Sequence, residues 1–122
     1  MTQPQGSITP TMFQVLMSLR DAERHGYSIM RDIEEQTDGA VRVGAATLYR
    51  SIKKLVDGGL IAETDERPDP ELDDERRRYY RLTSLGERVA REEAERLAKL
   101  VEMAYRKSLI SRGRLAAQGG KL

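Results

Sequence analysis

The segment from Glu87 to Arg112 contains no glycine and no proline, and this feature constrains the fold more than any other. Apolar residues recur along it at helical spacing, and Ser84 with Glu87 matches a capping box that opens a helix. A helix over residues 84–109 would be about 40 Å long at 1.5 Å per residue. A small domain cannot cover a helix of that length, so we expect its apolar side to contact a second copy of the chain. The alternative is that this side packs only within its own domain. The residues of the predicted dimer contact are Val89, Ala90, Ala94, Leu97, Leu100, Val101 and Ala104.

Three shorter helices and a hairpin are predicted before the long helix. Thr9 followed by Pro10 is typical of a helix start, because threonine caps a helix well and proline at the first position loses no hydrogen bond. Glycines near residues 39 and 58 end the next two helices. The predicted elements are a helix from Pro10, helices over 27–37 and 44–57, strands from Leu60 and over Arg78–Leu82, and Val41–Val43 as a further candidate strand.

This order of elements predicts a mainly α fold: a winged helix-turn-helix with a long C-terminal dimerisation helix. In such a fold one helix crosses the DNA backbone and the next, the recognition helix, enters the major groove. The hairpin is the wing. We expect the DNA-binding domain to cover residues 9–82 and the dimerisation helix residues 83–110. We expect residues 1–8 and 111–122 to be disordered.

The composition argues against an enzyme. The chain has 122 residues, no cysteine and a single histidine, His25. Thiol chemistry, a histidine relay and a histidine-rich metal site are therefore poorly supported, and we expect neither metal nor cofactor. The sequence holds no apolar run long enough for a transmembrane helix and no recognisable signal peptide, so we expect no membrane partner and a cytoplasmic location.

The charge distribution points to double-stranded DNA as the partner, although the net charge is only +1. The third helix has a basic, acid-free stretch, and small residues at its start would let it approach DNA closely. Residues 63–75 are strongly acidic, and a run of arginines follows them at the base of the wing. The candidate DNA contacts from this distribution are Ala45, Ala46, Arg50, Lys53, Lys54, Arg76, Arg77 and Arg78.

Four short motifs stand out along the chain: Gly26-Tyr27-Ser28-Ile29, Ala46-Thr47-Leu48-Tyr49-Arg50, Leu55 with Gly59-Leu60-Ile61, and Arg78-Tyr79-Tyr80-Arg81-Leu82-Thr83 with Gly86. In this order and spacing they resemble the PadR family of bacterial transcriptional regulators. The resemblance implies a homodimer formed through the C-terminal helix that represses transcription from an inverted-repeat operator and responds to a small-molecule effector. It also implies that Tyr27, Ser28, Thr47 and Tyr49 lie at or near the DNA surface.

Less specific interpretations stay open beside these. Tyr49 is equally well read as a core aromatic residue, and the basic side chains of the third helix as an ordinary solvated face. The arginines at 76–78 would also neutralise the acids that precede them, although exposed ion pairs stabilise a fold by only about 0–1 kcal/mol. The alternative function is a winged-helix adaptor that binds proteins and not DNA, which the acidic wing favours because acids repel phosphate.

Overall fold

A computed structural model describes residues 8–64 and 78–111. Within these residues the chain forms four α-helices and three short β-strands. They are α1 (Pro10–Asp21), β1 (Arg24–His25), α2 (Gly26–Gln36), α3 (Ala45–Asp57), β2 (Ile61–Thr64), β3 (Tyr79–Leu82) and α4 (Ser84–Arg106). The predicted mainly α, winged helix-turn-helix fold is confirmed: α2 and α3 form the helix-turn-helix, and β2 and β3 are the strands of the wing.

The three strands form one antiparallel sheet in the order β1-β3-β2. The prediction that Val41–Val43 is a strand is wrong, since the third strand is β1. Asp38 and Gly39 turn the chain with positive φ angles of 52° and 82°. The amide of Val41 then donates to the Thr37 hydroxyl at 3.1 Å, so this segment is tied to the end of α2. Val41 and Val43 instead pack as half-buried residues against the core.

The core lies where α1, α2, α3 and the wing strands meet. Each helix contributes a stripe of aliphatic residues at helical spacing, and full burial of one such side chain stabilises the fold by about 1.5–3 kcal/mol. The side chains that are buried almost completely are Val15, Leu16, Ile29, Leu48, Leu55, Leu60 and Ile61.

Thr83 ties the start of α4 to the turn that follows α3. Its side-chain oxygen lies 2.7 Å from the Gly59 carbonyl oxygen and accepts a hydrogen bond from the Gly86 amide at 3.0 Å. The prediction that Ser84 caps this helix is therefore wrong, because the hydroxyl that accepts from the first turn belongs to Thr83. Gly86 is required by packing: a Cβ atom there would overlap the Leu60 carbonyl.

The chain divides into two compact units, with the boundary between Ala90 and Arg91. We expected a boundary at 82/83, but the first two turns of α4 belong to the first unit. Val89 and Ala90 are buried in that unit's own core, so their burial needs no second chain. In the second unit α4 continues to Arg106, three residues short of the expected end, and carries exposed Leu100, Val101 and Met103.

We expected residues 1–8 and 111–122 to be disordered. Most of these residues, 1–7 and 112–122, lie outside the described part of the chain. Ile8 is described, and it is buried against the core, so it is not part of a disordered tail. No helix among the described residues is both long enough and apolar enough to cross a membrane.

Candidate nucleic-acid interface

Helix α3 has one buried face and one exposed face. Leu48, Ile52 and Leu55 anchor it in the core. Every predicted DNA contact on this helix lies on the exposed side, and no acidic residue precedes Asp57 at its last position. The exposed predicted contacts are Ala45, Ala46, Thr47, Tyr49, Arg50, Lys53 and Lys54.

The first turn of α3 presents backbone amides beside very small side chains. Gly44 is the N-cap residue, and because glycine has no side chain it leaves the first amides of the helix without a side-chain cap. The first backbone hydrogen bond of the helix runs from the Leu48 amide to the Gly44 carbonyl at 2.9 Å. The amide groups before Leu48 therefore precede the helical hydrogen-bond ladder, and such groups favour anions such as phosphate.

The N-terminus of α2 is capped by the only histidine in the chain. The His25 Nδ1 atom accepts a hydrogen bond from the Ser28 amide at 3.1 Å. The ring of His25 also packs edge-on against Tyr79, with 5.2 Å between ring centroids. These contacts fix the first turn of α2, where Tyr27 is 54% exposed and Ser28 is half-buried.

Tyr49 of α3 lies against Gly26 at the start of α2. A Cβ atom at position 26 would overlap the tip of the Tyr49 ring, 2.6 Å from its Cζ atom. Glycine therefore allows the two helices to approach each other at this point. Tyr49 is 48% exposed, so it is a partly exposed bridge between the helices and not a core residue.

An open groove of about 660 Å³ runs between the N-terminus of α2, helix α3 and the wing strands. Lys53, Asp57, Glu63 and Arg78 contribute charged side chains to its lining. The Lys53 ammonium lies 3.2 Å from the Asp57 carboxylate, and the Arg78 guanidinium contacts both Glu63 oxygens at 3.0 and 3.2 Å. Two of the predicted DNA-contacting cations are thus already paired within the chain.

Tyr80 also lines this groove and is almost completely buried. Burial raises the pKa of its phenol, the negative charge of Glu63 raises it further, and Arg78 acts in the opposite direction. The phenol therefore stays neutral at physiological pH. Among the described lining residues, Lys53 and Arg78 contribute cations and Asp57 and Glu63 contribute carboxylates.

The structure brings four of the predicted DNA-contacting residues together in the groove, and two others lie outside the described residues. Tyr27, Tyr49, Lys53 and Arg78 line the one groove. Arg76 and Arg77 fall in the segment 65–77, outside the described part of the chain.

Sequence reasoning missed the partners of the cations and the capping role of His25. The pairing of Lys53 with Asp57 was readable, because residues four apart on a helix are neighbours. The pairing of Arg78 with Glu63 depends on the register of the wing, which the sequence does not reveal. The capping role of His25 also depends on its ring orientation.

The fold and the exposed basic helix define the chain as a winged-helix protein of the DNA-binding class. The model of the PadR-like family of transcriptional regulators matches residues 15–92, so the chain belongs to that family. It is a transcription regulator by that membership.

The chain is similar to three further proteins. An uncharacterized protein from Lysinibacillus sphaericus is 28% identical over 89 residues, which are 73% of this chain and 79% of that protein. The structure of a transcriptional regulator from Clostridium thermocellum is 25% identical with a TM-score of 0.67, covering 80% of this chain and 87% of that one. The structure of a PadR family transcriptional regulator from Eggerthella lenta is 26% identical with a TM-score of 0.63, covering 82% of each chain.

The capping role of His25 predicts a difference between two substitutions. His25→Ala removes both the ring and the acceptor for the Ser28 amide, whereas His25→Asn removes the ring but keeps a side-chain oxygen that caps helices well. We expect His25→Ala to be less stable than His25→Asn by about 0.5–2 kcal/mol in urea unfolding. Equal stabilities would show that the cap contributes nothing measurable.

Proposed function

We propose that the chain is a repressor that binds an inverted-repeat operator as a homodimer, with α3 as the recognition helix in the major groove. The observation that carries this proposal is the exposed face of α3, which presents basic and small side chains while the opposite face is buried. A helix of this kind fits the major groove, where each base pair presents a distinct pattern of donors and acceptors.

In this proposal the first half of α3 reads the base sequence. Ala45 and Ala46 let the helix approach the groove floor, and Arg50 is the exposed side chain able to make a two-pronged contact with guanine. The Arg50 guanidinium lies 3.3 Å from the Thr47 hydroxyl, a contact that orients it along the exposed face. Thr47 and Tyr49 lie beside it on the same face.

Phosphate contacts in this proposal come from the second half of α3, from the start of α2 and from the arginines that precede β3. Such contacts position a protein on the duplex without reading its sequence. The residues assigned to them are Tyr27, Ser28, Lys53, Lys54, Arg76, Arg77 and Arg78.

Dimerisation is assigned to the second unit. Its helical segment carries a stripe of small and apolar residues at helical spacing, in part exposed in the single chain, and burial of such a stripe drives association. The residues of this apolar stripe are Ala94, Leu97, Leu100, Val101 and Ala104.

The remaining parts of the proposal concern regulation and location. Family resemblance supports release from DNA by a small-molecule effector, and a repressor that acts on genomic DNA works in the cytoplasm. The competing function is an adaptor that binds proteins only. Salt-dependent binding of the chain to duplex DNA favours the repressor, and no binding at low salt favours the adaptor.

Arg50→Ala tests sequence reading by α3. We expect the substitution to cost roughly 1–3 kcal/mol on a duplex selected from a random pool, because one base pair per half-site loses its two-pronged contact. On a scrambled duplex the loss should be smaller. Fluorescence anisotropy with both duplexes, for the wild type and the variant, measures the difference.

Lys54→Ala is the matched control for this measurement, because it removes an exposed cation of the same helix that is assigned to phosphate. It should weaken binding to both duplexes by the same factor. If Arg50→Ala behaves in the same way, Arg50 contacts phosphate and does not read bases.

Leu97→Glu combined with Val101→Glu tests the dimer. The two residues lie one helical turn apart, so the substitutions place like charges in the apolar stripe, and we expect monomers that bind DNA weakly. Lys99→Glu is the control, because Lys99 lies on the opposite side of the helix. Sedimentation equilibrium at micromolar protein measures the mass. A monomeric wild type would overturn the proposed dimer.

A further inference from the structure

We propose that Glu63 and Asp57 lower the affinity of the chain for DNA by holding Arg78 and Lys53 in ion pairs that phosphate must displace. The inference rests on the proposed function, because it concerns the same cations. It adds two residues that set the strength of the interface and that do not themselves bind DNA.

The pairing of Glu63 with Arg78 is fixed by the register of the wing. Glu63 lies opposite Tyr80 across β2 and β3, so Arg78, two residues before Tyr80, projects from the same face and is the diagonal neighbour of Glu63. The guanidinium reaches both carboxylate oxygens, at 3.0 and 3.2 Å. Both hydrogen bonds are donated by one guanidinium nitrogen, Nη1, so a phosphate that approaches this nitrogen must displace the carboxylate.

The pairing of Asp57 with Lys53 is fixed by the helix. The two residues are four apart on α3, and the ammonium lies 3.2 Å from one carboxylate oxygen. Both ion pairs line the same groove between α3 and the wing strands. A phosphate that enters the groove meets two negative charges as well as the two cations.

The ion pairs are weak enough to be exchanged. The side chains of Arg78 and Glu63 are 69% and 47% exposed, and those of Lys53 and Asp57 are 77% and 63% exposed. Water and salt screen pairs at such positions, so each resists phosphate only modestly. Because phosphate contacts carry no sequence information, the carboxylates weaken binding to every duplex by a similar factor.

Neutral, isosteric substitutions test the inference. Glu63→Gln and Asp57→Asn remove one negative charge each and change side-chain size very little. Glu87→Gln is the matched control: Glu87 also pairs with an arginine, Arg20, at 3.4 Å and is 40% exposed, but it does not line the groove. The wild type and the three variants are titrated against one labelled mixed-sequence duplex between about 50 and 200 mM salt.

We expect Glu63→Gln and Asp57→Asn each to raise the affinity about two- to fivefold per protomer relative to Glu87→Gln. The dependence of log affinity on log salt should also steepen, because salt no longer weakens a competing ion pair while it weakens the phosphate contact. Affinities equal to that of Glu87→Gln would overturn the inference, since only net charge would then matter. Lower affinity would also overturn it, because the carboxylates would then be positioning the cations for DNA.

The failure of the inference is distinguishable from the failure of the proposed function. If the wild type binds the duplex with a clear salt dependence, the comparison among variants decides the inference alone. If neither the wild type nor any variant binds at the lowest salt, DNA binding itself is wrong and the inference falls with it.

Discussion

The burial of one face of α3 is the interaction on which the rest of the molecule depends. Leu48, Ile52 and Leu55 insert into the core formed by α1, α2 and β2, and each complete burial stabilises the fold by about 1.5–3 kcal/mol. A helix anchored on one face must present the other to solvent. The same three residues therefore stabilise the first unit and fix the orientation of the basic surface on which the proposed function depends.

The surroundings of α3 are adapted to this arrangement by a few short-range contacts. Gly26 lets α2 approach Tyr49, and His25 caps α2 at the same point. On the other side, Thr83 ties the start of α4 to the residues that follow α3. These contacts order the walls of a groove in which two cations are each paired with a carboxylate. We expect the balance of these charges, more than the shape of the groove, to determine how strongly it binds a DNA phosphate.

The sequence predicts the periodic parts of this structure well. Helical spacing identifies all four helices, because burial of a stripe requires that spacing, and the order of elements identifies the fold. The sheet was less predictable: β1 is only two residues long, and its partner lies far along the chain, so no local pattern marks it. The pairing of Arg78 with Glu63 and the burial of Val89 could not be predicted for the same reason. Both depend on contacts between segments that lie far apart in the sequence.

The central claim is that the exposed face of α3 meets DNA, and backbone amide NMR during titration with a selected duplex tests it most directly. We expect the largest chemical-shift changes in residues 44–54, with smaller changes at Tyr27 and Ser28 and little change along α1. Unchanged shifts across α3, with the changes confined to α1 or to the second unit, would contradict it.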